Sequence, residues 1–282
     1  MCNGKHRPVW LAPLLFITLV LLSTGCRGDL PDLAAKENFP KAKLEHLGDK
    51  LLLEMLATYQ FLPDIPPYDT TVYWYLRTLY GQATNTMHRD RQSPSVNRWD
   101  KERPWRVFVI KNDTLQHAFT LPGGDFLITT GLLKNLNTDH EIYALLTFEA
   151  DLMHQGHQLE RMIEQYNALT LENIADGNPT ANDMTAETLA AEFLFLSYDF
   201  RTVENIDEET VTSVCESSIL DPAGIAAVAA KAGLQGSLWL QTRPSYGGRA
   251  SVLASFAEQQ ETPCGNQTGT ANYQRFVLNV LD

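Results

Sequence analysis

The sequence predicts an α+β fold that is mostly helical and contains one small sheet. Apolar residues recur at helical spacing through most of the chain, whereas residues 105–129 alternate as strands do. Two of the three predicted strands are joined by Gly123-Gly124, a pair typical of a tight turn. The sequence has no internal repeat, so we expect one main domain with short appendages.

Changes of periodicity, prolines and capping residues set the predicted boundaries. Pro63 ends the first helix, and Thr138 with Glu141 fits a capping box at the start of the longest one. In chain order we predict helices over 29–62 and 70–84, a polar loop over 88–104, strands over 105–110, 116–121 and 125–129, a helix over 138–166, a loose polar connection over 172–188, helices over 189–201, 203–217, 222–232 and 250–260, and a terminal strand or turn over 276–281.

The N-terminus is typical of an export signal. Lys5 and Arg7 precede an apolar run over 9–22, which is shorter than the roughly 20 residues of a membrane-spanning helix. The following Leu-Ser-Thr-Gly-Cys resembles the processing site of bacterial lipoproteins, with cleavage before Cys26 and acylation of its sulfur. An ordinary signal peptide or an uncleaved anchor is the alternative. We therefore divide the chain into a signal peptide over 1–25, a linker and helix over 26–69, a main domain over 70–255 and a tail over 256–282.

The charge of the chain excludes one class of partner. The sequence has 34 acidic and 22 basic residues, and removal of the signal would leave 20 basic residues and a formal net charge of −14. Such a surface repels nucleic acid and anionic lipid headgroups. We expect no nucleic-acid partner, and membrane attachment through the lipid anchor on the periplasmic side of a bacterial envelope.

Two cysteines remain in the folded part of an exported chain. Cys215 and Cys264 would lie in an oxidising compartment, where a disulfide between them can form. Two unpaired thiols, one on a helix and one in a loop, are the alternative, because geometry decides whether the sulfurs can meet.

One carboxylate falls on the apolar face of the predicted helix over 138–166. Glu149 is flanked by Phe148, and it interrupts a stripe made of Ile142, Leu145, Leu146, Leu152, Met153 and Gly156. A carboxylate in such a place costs several kcal/mol unless it is paired, hydrogen-bonded or neutralised. These residues alone favour a structural glutamate with satisfied hydrogen bonds, and the remnant of an active site is the alternative.

The hairpin before this helix resembles that of a zinc metallopeptidase family. Residues 118–133, Ala-Phe-Thr-Leu-Pro-Gly-Gly-Asp-Phe-Leu-Ile-Thr-Thr-Gly-Leu-Leu, are similar to the edge-strand hairpin of metallopeptidase family forty-eight, the gluzincins that include the CAAX prenyl endopeptidases and HtpX-type proteases. In that family the next helix carries His-Glu-x-x-His, whose histidines bind zinc while the glutamate activates the zinc-bound water. The resemblance spans about residues 70–255 and implies a gluzincin-like metallopeptidase domain.

The metal motif of this family is altered in the sequence. It falls on Phe148-Glu149-Ala150-Asp151-Leu152, so apolar side chains replace both histidines, while Glu149 keeps the position of the base and His157 that of a further histidine. Phe148 and Leu152 have no lone pair for a metal, and we expect no zinc cofactor. Zinc held by an unorthodox ligand set, for instance at His154 and His157, is the alternative.

The resemblance places the remaining site residues further along the chain. It implies a third zinc ligand at Glu204 with a supporting acid at Glu208, and a Thr-Arg-Pro segment in which Arg243 replaces a histidine ahead of Arg249. Glu204 and Glu208 share a helical face with Val211 and Cys215, which would point them inward, although an acidic pair at this spacing is also typical of a solvated face. Our hypothesis is that Arg243 pairs with Glu149 or Glu204 in place of the metal.

Three functions follow from this interpretation. The first is a pseudopeptidase that binds an extended peptide or an envelope protein, with the strand over 125–129 as an open edge for β-augmentation. Its peptide-binding residues would be Leu121, Pro122, Gly123, Gly124, Asp125 and Phe126. The second is an active metallopeptidase with an unorthodox ligand set, and the third is a purely structural lipoprotein.

Overall fold

The computed structural model describes residues 39–90, 105–181, 183–217, 219–245, 248–261 and 263–281. The predicted signal peptide, Cys26 and positions 91–104 of the predicted loop lie outside the described residues. Within the described ranges, no helix combines the length and the apolar character that crossing a membrane requires.

Helices make up most of the described chain, and the three predicted strands form the sheet. The elements are α1 (Lys41–Thr58), a π-helical turn (Asp69–Tyr73), α2 (Trp74–Asp90), β1 (Val107–Ile110), β2 (Ala118–Thr120), β3 (Phe126–Thr129), α3 (Thr130–Asn135), α4 (Asp139–His154), α5 (His157–Tyr166), α6 (Ala168–Asp176), α7 (Ala186–Phe193), α8 (Phe200–Glu216), α9 (Gly224–Gln235), α10 (Leu238–Thr242), α11 (Arg249–Glu258), α12 (Thr270–Tyr273), a second π-helical turn (Gln274–Leu278) and α13 (Asn279–Leu281). The predicted class, α+β with a small mixed sheet, is confirmed.

The order of the strands differs from the expected one. The sheet runs β1-β3-β2, with Val107 opposite Phe126 in a parallel pair and Ala118 opposite Ile128 in an antiparallel pair. The prediction that residues 125–129 form an open edge is therefore wrong, because β1 occupies the side of β3 that a peptide would need. Residues 121–126 are all buried, and the Asp125 carboxylate accepts a hydrogen bond of 2.9 Å from Arg106 Nε.

The predicted long helix over 138–166 is two helices. Gly156 has a φ of 76°, a left-handed conformation that favours glycine, and it separates α4 from α5. Residues 139–153 of α4 are all buried, so α4 is a central core helix and not an amphipathic surface helix. It packs against α2, α8 and α9.

Several other predicted boundaries are corrected. The predicted connection over 172–188 contains the end of α6 and the start of α7, and the predicted helix over 189–201 ends at Phe193. The next helix starts at Phe200, where the Asp199 carboxylate accepts a hydrogen bond of 2.8 Å from the Thr202 N–H as an N-cap. The predicted terminal strand or turn over 276–281 is helical.

Both ends of the described chain pack onto the central domain. A β-carbon at Gly48 of α1 would lie 1.7 Å from the Pro122 carbonyl oxygen, so α1 approaches the hairpin as closely as glycine allows. Near the C-terminus, Tyr273 is fully buried and its hydroxyl donates a hydrogen bond of 2.7 Å to the Leu133 carbonyl. The described parts of the segments over 26–69 and 256–282 therefore belong to the same packed body as the main domain.

Candidate functional site

Glu149 and Arg243 form an ion pair in the interior of the domain. Glu149 lies on α4, and Arg243 follows the last residue of α10. Arg243 Nη2 donates a hydrogen bond of 2.8 Å to Glu149 Oε2, and Nε lies 2.7 Å from Oε1 without the alignment of a hydrogen bond. Their side chains are 1% and 3% exposed. The hypothesis that Arg243 pairs with one of the site carboxylates is confirmed for Glu149.

Glu149 has two further donors. The Trp239 indole N–H donates a hydrogen bond of 2.7 Å to Oε1, and the backbone N–H of Thr120 at the end of β2 also donates to the carboxylate. Burial raises the pKa of Glu149, and the charge and hydrogen bonds of Arg243 are the largest effects that oppose this rise. Trp239 was not predicted as part of the site, although it stands four residues before Arg243.

The edge strand β2 is closed by side chains at its C-terminal end. The Thr120 carbonyl accepts a hydrogen bond from Gln158 Nε2, and the Thr120 N–H is bonded to Glu149. Gln158, on α5, also hydrogen-bonds to Tyr198, whose ring lies 5.3 Å from the Arg243 guanidinium. An extended peptide therefore has no free main-chain partner at Thr120.

Residues 194–199, between α7 and α8, contact His117, just before β2, and Thr242, at the end of α10. The His117 ring donates through Nε2 to the Leu194 carbonyl at 2.9 Å, and the Tyr198 N–H donates to the Thr242 carbonyl at 3.0 Å. Burial, reinforced by the charge of Arg243, lowers the pKa of His117 well below its ordinary value. His117 is therefore a neutral imidazole beside a permanent cation.

The two positions that the resemblance assigns to ligand histidines are part of the apolar core. Phe148 is fully buried with its ring centroid 5.7 Å from that of Trp239 in an edge-on arrangement, and Leu152 is 1% exposed. The Arg249 guanidinium lies 5.8 Å from the centre of the Phe148 ring. These side chains fill the interior beside Glu149 and bring no metal ligand to it.

The predicted inward direction of Glu204 and Glu208 is wrong. Both glutamates are exposed on α8, whereas Val203 and Asp207, one residue earlier in each case, are fully buried. A shift of one residue rotates a helical side chain by about 100°, so two pairs of positions with the same spacing can face different sides of the helix. In the family, the third ligand is a glutamate four residues before an aspartate. If Asp207 is taken as that aspartate, Val203 stands at the position of the third ligand.

Asp207 is the functional position that the sequence reasoning missed. Its carboxylate accepts two hydrogen bonds of 2.7 Å from Arg249, one from Nε and one from Nη2, and both side chains are buried. Arg249 thus pairs with Asp207, whereas Glu208, the predicted supporting acid, is exposed one residue further along α8. The apolar face of α8, built from Val203, Ile206, Val211 and Val214, contains Asp207 and was the signal that could have found it.

A family comparison covers the hairpin, Glu149 and the Asp207–Arg249 pair. The sequence model of peptidase family M48 matches residues 86–257. The chain belongs to peptidase family M48. No curated protein matches it. It is therefore a metallopeptidase-like protein, and the resemblance seen in the hairpin is confirmed.

Zinc, the metal usual in M48 peptidases, does not fit the residues at this site. A catalytic zinc ion needs three protein ligands with lone pairs, but Phe148, Leu152 and Val203 offer none. In the part of the chain that the structure describes, no group of three or more His, Cys, Asp or Glu side chains is placed to hold a metal ion. His157, at the start of α5, is half-buried with Nδ1 3.4 Å from Glu160 Oε2.

Proposed function

We propose that this chain is a non-catalytic M48 homologue that acts in the bacterial envelope by binding a partner protein. The single observation that carries the proposal is the ion pair between Arg243 and Glu149. A guanidinium occupies the place beside the catalytic carboxylate that a zinc-bound water would need in an active relative.

The chemistry of Glu149 supports an inactive site. A general base needs a free lone pair within hydrogen-bond reach of the water that it activates. Each oxygen of Glu149 already accepts a hydrogen bond, from Arg243 at one and from Trp239 at the other, and these donors would compete with a water. The side chain is also only 1% exposed, so almost none of it contacts bulk solvent.

Metal content and proteolysis test this directly. Residues 26–282, purified with and without added zinc, should contain no stoichiometric zinc and should not cleave a denatured protein substrate. Glu204→Ala, at an exposed glutamate of α8, is the control and should change neither readout. Stoichiometric zinc together with cleavage that disappears in Glu149→Gln would establish an active peptidase instead.

Restoring the metal ligands tests whether Val203 of α8 stands at the position of the third ligand. The triple variant Phe148→His, Leu152→His, Val203→Glu should gain zinc binding, because it returns three lone-pair donors to the family positions. The double variant that lacks Val203→Glu is its matched control and should bind zinc far more weakly. Equal zinc affinity of the two variants would show that Val203 is not the third ligand position.

The partner is proposed to be a folded protein and not an extended peptide at β2. A photo-crosslinker at Thr120 should capture no unfolded peptide, since both main-chain groups of this residue are engaged, whereas one at Phe195, 64% exposed, serves as an accessible control. Efficient peptide capture at Thr120 alone would revive peptide binding at the sheet edge.

The envelope location rests on the N-terminal sequence. Growth with a labelled fatty acid should label the full-length protein, and Cys26→Ser should abolish the label. Labelling that persists in this variant would exclude Cys26 as the acylation site.

A further inference from the structure

The N-terminus of α4 is capped by the C-terminal tail of the chain. The Asp139 N–H donates to the Gly269 carbonyl at 3.2 Å, and the His140 N–H donates to the Thr268 carbonyl at 3.0 Å. The first amides of any helix lack partners within it, and a side chain at the N-cap normally supplies one. Here the Thr138 hydroxyl makes no hydrogen bond to the described residues, so this half of the predicted capping box is wrong and the tail caps the first amides. Glu141 does reach back, and its carboxylate accepts a hydrogen bond of 2.7 Å from the Asn137 N–H.

The fit between the tail and α4 is close. The Asp139 carboxylate accepts hydrogen bonds from the Tyr75 hydroxyl at 2.5 Å and from Asn272 Nδ2 at 3.1 Å. A β-carbon at Gly269 would lie 2.3 Å from Asp139 Oδ2, and Gly269 has a φ of 70°. The contact therefore requires glycine at this position and leaves no space for a shift of the tail.

A disulfide fastens the tail just before this cap. Cys264 is bonded to Cys215 at the C-terminal end of α8, which joins two segments 49 residues apart in sequence. Between the disulfide and the cap, the Gln267 N–H donates to the Ile219 carbonyl at 3.2 Å, and its own carbonyl accepts from the Asp221 N–H at 3.0 Å. Because Cys264 is covalently bonded only three residues before Gln267, the capping residues Thr268 and Gly269 cannot move far from the start of α4.

We propose that the Cys215–Cys264 disulfide is a redox-sensitive latch for α4, the helix that carries Glu149. A dithiol reductant transfers two electrons and two protons to the disulfide, giving two cysteine thiols and the oxidised reductant. Once the bond is broken, the tail can leave the start of α4, and the amides of Asp139 and His140 lose their partners. The latch is independent of the proposed function, because it would act on an active peptidase as well.

Hydrogen exchange of the oxidised and reduced full-length folded protein tests the latch. We expect amides 139–142 to exchange roughly tenfold faster or more after reduction, while amides 47–55 of α1 change little. Thiol titration should confirm two new thiols per chain. Gly269→Ala, with the disulfide intact, should reproduce the faster exchange of residues 139–142 under oxidising conditions.

Two further results complete the test. The variant Cys215→Ser, Cys264→Ser should show the fast exchange at 139–142 without reductant, and reductant should not change it further. If the variant does not fold, stepwise reduction of the wild-type protein gives the same comparison. Unchanged exchange at 139–142 in the fully reduced protein, or an equal increase in α1, would overturn the latch.

Discussion

Two buried arginine–carboxylate pairs stand within the same domain, and they are built differently. Arg249 holds Asp207 with two aligned hydrogen bonds of 2.7 Å, as a fork that matches the carboxylate. Arg243 makes one aligned bond of 2.8 Å to Glu149, whose other oxygen accepts from Trp239. Both hydrogen bonds of the first pair come from one guanidinium, whereas the carboxylate of the second pair accepts from several different donors.

The difference shows two ways in which a buried carboxylate is kept in the interior of this domain. A carboxylate with several donors and a raised pKa can remain buried after one donor is removed, since it can take up a proton. Removal of Arg249 would take two aligned hydrogen bonds from the buried Asp207 carboxylate at once, which costs more. We therefore expect the Asp207–Arg249 pair to contribute more to stability than the pair at the remnant site.

Arg249→Ala should have the largest effect on this comparison. It leaves the fully buried Asp207 carboxylate without its fork, and we expect the free energy of unfolding to fall by about 3–5 kcal/mol. Chemical denaturation measures the loss, and Asp207→Ala should cost a similar amount. The double variant should lose much less than the sum of both, and strict additivity would show that the two side chains do not stabilise each other.

Arg243→Ala should lower the free energy of unfolding by less, about 2–3 kcal/mol at neutral pH, because Trp239 and Thr120 still donate to Glu149. The loss should depend on pH. The pKa of Glu149 in the folded state lies above its unfolded value of 4.5. Between these two pKa values the folded chain binds a proton at Glu149 that the unfolded chain does not, so the stability of the variant falls as the pH rises. Denaturation at pH 5 and pH 8 checks the sign, and a loss equal to that of Arg249→Ala at both would remove the contrast between the pairs.

Trp239→Phe should lower the free energy of unfolding by about 1.5 kcal/mol, a smaller effect, because it removes the hydrogen bond to Glu149 but keeps an aromatic ring against Phe148. Thermal and chemical unfolding measure it. Combining this change with Arg243→Ala should cost more than the sum, since the carboxylate then keeps only the backbone donor of Thr120 among these three. Simple additivity would indicate that the donors act separately.

His117 should give the smallest effect, visible only in acid. Its folded-state pKa lies below the unfolded value of 6.5, so the unfolded chain binds a proton that the folded chain does not. Stability should therefore fall as the pH drops below 6.5, by at most about 1.4 kcal/mol per pH unit from this group. The matched variant His117→Gln should reduce that slope, and an unchanged slope would exclude His117 as the source.

The sequence predicted those parts of the fold that local patterns determine. Alternation and Gly123-Gly124 located the strands, but the middle position of β3 depends on a parallel pairing with β1 that no local pattern contains. The break at Gly156 was missed because the apolar periodicity of α4 continues through it. Tertiary context decided both features.

The site was predictable where chemistry alone gives the answer. A buried carboxylate needs a partner, and Arg243 stands where the family has a histidine, so a pair with Glu149 or Glu204 was expected; the structure shows Glu149. Asp207 was missed because Glu204 and Glu208 satisfy the same four-residue spacing. Only the direction of the side chains on the folded helix α8 distinguishes the two registers.

The central position of β3 has a consequence for the behaviour of the protein at high concentration. On the outer side of β1, the Leu62 N–H bonds to Val109 and the Lys111 N–H bonds to Gln60, while Thr120 of β2 is bonded to α4 and α5. A strand whose main-chain groups are already paired is a poor template for another chain. At high protein concentration, aggregation through the edges of this sheet is therefore disfavoured.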